Sequence, residues 1–274
     1  MSVILGIDVG GSTTKTVGFS SSGNLIGCLH VEASDQITSL YGAVGHFLRQ
    51  WKIDLSDVIK IFLTGVGASF ITEDIYNIPT QNISEFQAIG HGGLYLAKKK
   101  EAFVVSMGTG TAFVRASKND IIHIGGSGVG GGTLLGLSSK ILDKDDVKSI
   151  LALAENGHAE NTDLLVHEIL NHEIPSLPPN FTASNFGNIK STASDGDFAA
   201  GIVNMIFQTI GIMAAFATRN DRIKDVILTG TLTTLPQAQE IFTAIGEMYD
   251  IRFIMPKQAI YATAIGAVMI SESI

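Results

Sequence analysis

The sequence predicts an α/β fold made of two lobes, with a ligand cleft between them. Its 274 residues are enough for two lobes of ordinary size. Two segments, beginning near residues 3 and 102, share the order of hydrophobic strand, glycine turn and second strand. Six glycines also lie between positions 125 and 132, which indicates tight turning or the close approach of a ligand.

The composition is that of a globular protein and excludes several classes of partner. Hydrophobic residues make up 45% of the chain and charged residues only 16%. The net charge of −8 and the absence of a Lys/Arg-rich block argue against nucleic acid or an anionic membrane as partner. The single cysteine, Cys28, excludes an internal disulfide and a CxxC zinc site. Without a recognisable leader at the start, we expect a cytoplasmic protein.

Hydrophobic periodicity predicts the elements of the first lobe. Short β-rich runs punctuated by turn residues predict a three-stranded meander, and 3.6-residue periodicity predicts helices. Ser84 is placed to cap the second helix. The predicted elements are strands at 3–9, 14–19, 25–31 and 60–64 and helices at 37–50 and 84–99.

The second lobe repeats the strand, glycine turn and strand, and then becomes more helical. The repeat alone sets the expected boundary near Lys100, giving lobes of 1–100 and 101–274, with the last helix packing back toward the first lobe. An irregular stretch is predicted at 175–188. The predicted elements are strands at 102–108, 112–117, 120–124, 225–230 and 252–255 and helices at 133–142, 145–156, 162–170, 198–218, 236–249 and from about 260.

The helix at 198–218 is uncharged and long enough to span a bilayer. Asn204 and Gln208 lie on one helical face, small residues are frequent, and no second hydrophobic span accompanies it. These features favour a buried core helix, and we expect no membrane partner.

The glycine cluster matches GxGxxG from Gly126 to Gly131, the pattern of a dinucleotide-binding turn. That fold needs a second parallel strand after the helix, whereas a further helical segment follows here, so a nicotinamide or flavin site is disfavoured. The P-loop pattern GxxxxGK[ST] is absent. Successive free N–H groups at the start of a helix would instead bind phosphate directly.

Three motifs in order predict a nucleotide site. "GIDVGGSTTK" and "VSMGTGTAF" are hairpins that can present N–H and hydroxyl groups to a triphosphate from both sides of a cleft. They resemble the phosphate motifs of the superfamily of sugar kinases, heat-shock chaperone ATPases and actin, and "VILTGTLTTLP" resembles its adenosine motif. The resemblance implies a two-lobed actin-like ATPase fold, a duplicated ribonuclease H-like unit with the nucleotide cleft between the lobes.

Within that superfamily the chain resembles the type II (eukaryote-like) pantothenate kinases over nearly its whole length. The resemblance is carried by "DVGGSTTK", "SEFQA", "MGTGTA", "IGGSGVGGGTLLGL" and "FTASNFGN". It implies phosphorylation of the primary hydroxyl of pantothenate by ATP with Mg²⁺, the first step towards coenzyme A, in a homodimer.

The same resemblance assigns roles to individual residues. Glu85 matches the catalytic base, Asp8 would hold Mg²⁺ through water, and Lys15 would meet phosphate charge. The substrate-binding set is Glu85, Thr109, His123 and Arg115. The nucleotide-binding set is Asp8, Gly10, Gly11, Ser12, Thr13, Lys15, Gly108, Thr109, Gly110, Thr111, Gly130, Gly131, Gly132 and Gly230.

Two departures from the family pattern keep other functions open. His123 stands where the family usually has arginine, and Gln87 replaces a common aspartate; Arg115 on the neighbouring strand would partly replace the missing charge. The alternatives are a kinase of another small alcohol, such as a pantetheine-like or sugar-like compound, and a non-catalytic nucleotide switch. A switch would need no carboxylate at Glu85. The superfamily's dehydratase activators need cysteines for an iron–sulfur cluster, so the single cysteine, Cys28, argues against that role.

Overall fold

A computed structural model describes residues 2–32, 35–170 and 178–270 of the chain. The first lobe is a five-stranded sheet in the order β3-β2-β1-β4-β5. The first three strands form an antiparallel meander, and the last two run parallel to the first. Its elements are β1 (Val3–Val9), β2 (Thr13–Ser20), β3 (Leu25–Glu32), α1 (Gln36–Trp51), β4 (Val58–Thr64), β5 (Thr80–Asn82) and α2 (Glu85–Ala97).

The second lobe repeats this sheet and adds helices. Its strands follow the order β8-β7-β6-β11-β12, again with an antiparallel meander and two parallel strands. Its elements are β6 (Glu101–Met107), β7 (Thr111–Ser117), β8 (Ile121–Ser127), α3 (Gly131–Leu142), α4 (Val147–Ala154), β9 (Leu164–Leu165), α5 (Val166–Ile169), β10 (Thr182–Ser184), α6 (Asp195–Thr218), β11 (Asp225–Thr229), α7 (Gln237–Tyr249), β12 (Arg252–Ile254) and α8 (Ala262–Met269).

Several predicted elements differ from those observed. The predicted helix at 162–170 is wrong over its first half, where β9 pairs with β10 in a separate two-stranded sheet. The predicted strand at 120–124 continues to Ser127, through two glycines. The short strand β5 was not predicted, because its three polar residues carry no hydrophobic alternation. Part of the predicted irregular stretch, residues 175–177, lies outside the described residues.

The long apolar helix α6 lies in the core of the second lobe. It is the one helix among the described residues long and apolar enough to cross a bilayer, and 61% of its most apolar window is buried inside the protein. Ile202, Ile206 and Ile210 pack in the same core as β6, β11, α3, α4 and α7. Ser194 caps the helix, and its hydroxyl accepts from the Asp197 N–H. This packing is that of a core helix.

Two helices cross between the lobes. Although α2 follows the first sheet, Ile89 and Leu94 pack against β6, β7 and β11 of the second sheet. The last helix, α8, packs in return against β2 and β4 of the first sheet, through Ala264, Ile265 and Val268. The expected boundary at Lys100 stays a prediction, and each lobe completes its core with a helix from the other half of the sequence.

Two glycines let α2 and α8 meet at backbone distance. A Cβ on Gly92 would overlap the carbonyl oxygen of Ala262, and a Cβ on Gly266 would overlap that of Ala88. Backbone atoms cannot move aside as a flexible side chain can, so only glycine fits at either position.

We therefore expect Gly92→Ala and Gly266→Ala each to lower the free energy of unfolding by about 3 kcal/mol, the upper range for overpacking in a core. Urea unfolding followed by circular dichroism measures this. Gly45→Ala is the matched control, because Gly45 lies in α1 with open space around its Cβ position. It should gain about 0.5–1 kcal/mol. Equal effects at all three positions would contradict the close crossing.

Candidate functional site

The site begins with a charged pair on the cleft face of the first sheet. Asp8 on β1 and Lys15 on β2 are cross-strand partners, 8% and 7% exposed. Lys15 Nζ lies 3.8 Å from Asp8 Oδ2. Burial raises the pKa of Asp8, while the charge of Lys15 and its hydrogen bond lower it. Val17 and Phe19 on the same face of β2 pack with α8, which places the pair on the side of the sheet that faces α8.

Glu85 lies within electrostatic range of this pair. It occupies the first turn of α2, and Ser84 takes the N-cap position without a side-chain capping bond. Burial raises the pKa of Glu85, the nearby charge of Asp8 raises it further, and Lys15 lowers it. Glu85 therefore shares one electrostatic environment with both residues. A carboxyl with a raised pKa, next to a buried ion pair, is suited to accept a proton.

His30 extends the cross-strand row that begins with Asp8 and Lys15, and it was not predicted from the sequence. It is the cross-strand partner of Lys15 on β3, at the edge of the sheet. The His30 side chain is exposed; partial desolvation and the charge of Lys15 lower its pKa, and the charge of Glu32 opposes them. Only the register of β2 against β3 reveals the alignment, since Lys15 and His30 are fifteen positions apart in the sequence.

The two glycine hairpins face each other. In the first, the Gly10 N–H donates to the Thr13 carbonyl at 3.0 Å. In the second, the Gly108 N–H donates to the Gly110 carbonyl at 2.9 Å. A Cβ on Gly11 would lie 3.7 Å from Thr109 Oγ1, so the tips of the hairpins approach closely. Gly11, Ser12 and Thr109 are exposed, and their N–H and hydroxyl groups border the space between the lobes.

The glycine cluster packs against the second hairpin. The Gly131 N–H donates to the Gly108 carbonyl at 2.8 Å, and the Gly132 N–H donates to the Thr109 carbonyl at 2.9 Å. The expectation that these amides at the start of α3 are free for phosphate is therefore wrong. The glycines are needed because a Cβ on Gly130 would lie 2.7 Å from the Thr109 carbonyl oxygen. The loop thus fixes the shape of the hairpin, and direct phosphate contact by Gly130–Gly132 stays a prediction.

Gly230 follows β11 with φ of +90°, in the left-handed region that favours glycine. Its N–H donates to the Ala259 carbonyl at 3.1 Å, which joins the segment after β11 to the segment before α8. Beside this junction lies an open cavity of about 600 Å³. It is lined by Thr233, Thr234, Leu235, Pro236, Gln239, Met255, Pro256, Lys257, Gln258, Ala259, Ile260 and Tyr261.

His123 lies at the candidate site, whereas Arg115 lies on the other face of the second sheet. The His123 ring stacks on Phe86, the neighbour of Glu85, with centroids 3.8 Å apart and planes 12° apart. Arg115 instead alternates with Val114, which faces α2, and so points to the opposite face of the second sheet. Its Nε donates to Asp221 Oδ2 at 2.6 Å. Arg115 cannot replace a charge at His123, and we leave it out of the candidate site.

The "FTASNFGN" motif is held by a buried carboxylate that the sequence did not single out. Asp163 is fully buried and accepts hydrogen bonds from the Thr182 hydroxyl, the Asn185 amide, the Phe186 N–H and the Asn204 amide. Gln208, one turn further along α6, donates to Thr182. The face of α6 that carries Asn204 and Gln208 thus anchors the motif to the second lobe.

Comparison with protein families identifies relatives of this chain. A family model described as Fumble matches residues 69–269. A type II pantothenate kinase from Oceanobacillus iheyensis is 27% identical over 276 residues, covering 97% of this chain and 99% of that protein. A type II pantothenate kinase from Staphylococcus aureus is 27% identical over 237 residues, covering 83% of this chain and 84% of that protein.

Solved structures share the fold at low sequence identity. The activator of the 2-hydroxyisocaproyl-CoA dehydratase from Clostridium difficile, with bound ADPNP, superposes with a TM-score of 0.71 at 14% identity, covering 99% of this chain and 95% of that one. A ROK family glucokinase from Streptomyces griseus, in complex with glucose and AMPPNP, has a TM-score of 0.61 at 10% identity, covering 98% and 99%. The predicted actin-like ATPase fold is confirmed.

The reactivity of the single thiol, Cys28, tests whether its surroundings are buried. Burial raises the pKa of Cys28 to about 11, and Gln258 Nε2 at the cavity lies 3.9 Å from its Sγ. Because the thiolate is the reactive form, alkylation of Cys28 by iodoacetamide at pH 8 should be roughly a hundredfold slower than that of a free cysteine. Mass spectrometry measures the rate. Unfolding in urea should restore normal reactivity, and fast alkylation of the folded protein would refute the buried setting.

Proposed function

The chain belongs to the Fumble family, and we propose that it is a kinase that transfers phosphate from ATP to the primary hydroxyl of pantothenate. The product is 4'-phosphopantothenate, and the reaction is the first step of coenzyme A biosynthesis. The observation that carries the proposal is the electrostatic proximity of Glu85 to the buried Asp8–Lys15 pair, beside two facing glycine hairpins.

The residues divide the chemistry among them. Glu85 accepts the proton of the attacking hydroxyl, and its raised pKa brings the carboxyl closer to the operating pH, which favours general base catalysis. Lys15 is placed to meet phosphate charge, and the exposed tips of both hairpins offer N–H and hydroxyl donors. The cavity next to Gly230 has the volume and the mixed apolar and polar lining that suit a nucleoside. ATP is the proposed phosphate donor.

The site fits a magnesium ion held mainly by phosphates and water. No group of three or more His, Cys, Asp or Glu residues that could hold a metal occurs in the described part of the chain. Mg²⁺ retains several waters and commonly binds through one or two carboxylates together with substrate phosphates. Asp8 can supply that carboxylate through a water. When bound, the ion would neutralise phosphate charge during transfer.

A second candidate is a kinase of another small alcohol on the same scaffold. The stack of His123 on Phe86 favours it, because a flat imidazole held against a ring cannot make the bidentate contact of an arginine. A homodimer, a cytoplasmic location and the lobe boundary at Lys100 belong to the same proposal. The homodimer rests on the family resemblance, the boundary rests on the internal repeat, and the single cysteine fits a cytoplasmic location.

We expect Glu85→Gln to lower turnover by roughly 10²–10⁴, the usual contribution of a general base, while nucleotide affinity stays nearly unchanged. A coupled assay of ADP release with pantothenate measures turnover, and the shift of the melting temperature with nucleotide measures affinity. Asp195→Asn is the matched control, because Asp195 is also an acid in the first turn of a helix. Undiminished turnover of Glu85→Gln would reject Glu85 as the base.

His123→Arg separates the two candidate acceptors. If pantothenate is the acceptor, the restored family residue should maintain or raise kcat/KM for pantothenate, because a guanidinium adds a permanent charge and a bidentate donor. Steady-state kinetics across a panel of small alcohols measures this. Loss of activity in a folded variant that still binds nucleotide would show that His123 is adapted to a different acceptor.

A further inference from the structure

The buried hydroxyl of Thr64 has no assigned role and, within the described part of the chain, no partner. Thr64 is the last residue of β4 and is fully buried. Its Oγ1 has no hydrogen-bond partner among the residues that the structure describes. A buried, unsatisfied hydroxyl costs about 1–3 kcal/mol of stability. Such a group calls for an explanation, and a water or ion at the site is a common one.

Thr64 belongs to the row of residues that forms the floor of the candidate site. It is the register partner of Asp8, which pairs in turn with Lys15. Phe62, two residues earlier on β4, packs toward α8, so Thr64 faces the same side as the charged pair. The Ile83 N–H donates to the Leu63 carbonyl at 2.7 Å, which brings the start of α2, and with it Glu85, beside the end of β4.

The Asp8 carboxylate and the Thr64 hydroxyl border the same space. Gly65, which follows Thr64, has φ of +91°, and a Cβ there would lie 2.5 Å from Asp8 Oδ1. Neighbouring strands lie about 4.8 Å apart. One water can bridge two side chains across that distance with hydrogen bonds of about 2.8 Å each.

The second lobe shows how the equivalent threonine behaves where no carboxylate lies beside it. Thr229 ends β11 as Thr64 ends β4, is also fully buried, and is followed by Gly230 with φ of +90°. Its hydroxyl donates to the Val105 carbonyl at 3.3 Å. Its register partner is Ser106, where the first lobe has Asp8. Of these two equivalent threonines, the one whose hydroxyl has no partner among the described residues is the one next to the carboxylate.

We propose that Thr64 is a positioning residue for the metal-binding carboxylate. Its hydroxyl donates to a water that Asp8 also holds, and this contact orients the carboxylate toward the hydration shell of Mg²⁺. The inference rests on the proposed kinase function, because that function supplies the metal and the phosphates.

The test compares Thr64→Val with Thr64→Ser. Valine keeps the shape and removes the hydroxyl, so the Mg²⁺ concentration for half-maximal stabilisation by ADP should rise about tenfold, equivalent to about 1.4 kcal/mol. Differential scanning fluorimetry over a magnesium titration measures this without turnover. In the ADP-release assay, kcat should fall by a similar factor while KM for pantothenate changes little. Thr64→Ser should restore most of both values.

Thr16→Val is the matched control. Thr16 is also fully buried, and its hydroxyl has no partner in the ranges that the structure describes. On β2 it shares the face of Thr14, whose hydroxyl accepts from the Ser39 hydroxyl of α1. Without ligand, Thr16→Val should melt at or above the wild-type temperature, because it loses an unsatisfied hydroxyl. Thr64→Val exchanges a water-bridged hydroxyl for a methyl group of similar size and should shift the ligand-free melting temperature little. Only Thr64→Val should change the magnesium requirement.

An unchanged magnesium requirement in Thr64→Val, or an equal change in Thr16→Val, would overturn the proposal. If Thr64→Val unfolds, Thr64→Ala takes its place. Alanine also lacks the hydroxyl and does not introduce valine's second γ-methyl group, and it is judged by the same outcomes. Failure of the wild-type protein to phosphorylate pantothenate would instead reject the proposed acceptor, while the magnesium titration would still decide the role of Thr64.

Discussion

The crossing of α2 and α8 is the contact on which the architecture depends. Gly92 and Gly266 allow the two helix backbones to touch. Helix α2 follows the first sheet but packs on the second, and α8 follows the second sheet but packs on the first. Because the crossing lies between both sheets, it fixes the distance between the two glycine hairpins. It also sets the first turn of α2 beside β1 and β4, which brings Glu85 to the Asp8–Lys15 pair. A side chain at either glycine would force the two helix backbones apart.

Duplication gives the site its asymmetry. Both sheets end their central parallel strand in threonine and a glycine with positive φ, yet only the first lobe places an aspartate beside that threonine. The first lobe therefore supplies the charged floor, and its buried groups are stabilised mainly by one another. The second lobe supplies the cavity beside Gly230 and the glycine loop that supports the opposite hairpin. In the proposed function, the base and the metal-binding carboxylate come from the first half and the nucleoside cavity from the second, while the phosphate-binding hairpins come from both.

Sequence reasoning succeeded where the signal was local. The meander strands, the long apolar helix and the two hairpins followed from alternation, periodicity and turn residues. It failed where a partner distant in sequence decided the outcome. Leu164 and Leu165 read as helical but form a strand because β10 pairs with them. Arg115 was predicted to lie near His123. Adjacent residues of a strand face opposite sides of the sheet, and Arg115 instead bonds to the Asp221 carboxylate on the other face. The amides of Gly131 and Gly132 were read as free and are bonded to the second hairpin.

The sequence by itself determined the order of the motifs and the internal repeat, because glycine turns and hydrophobic periods are encoded by neighbouring residues. Glu85 was predicted as the base from the resemblance of its motif to the family. Only the tertiary structure decided which groups share the site. The row of Thr64, Asp8, Lys15 and His30 exists because four strands pair in one register, and no spacing in the chain records that register. The physical reason is that hydrogen bonding between strands and the packing of α2 and α8 act between distant segments, and the burial they produce sets the pKa values of Asp8 and Glu85.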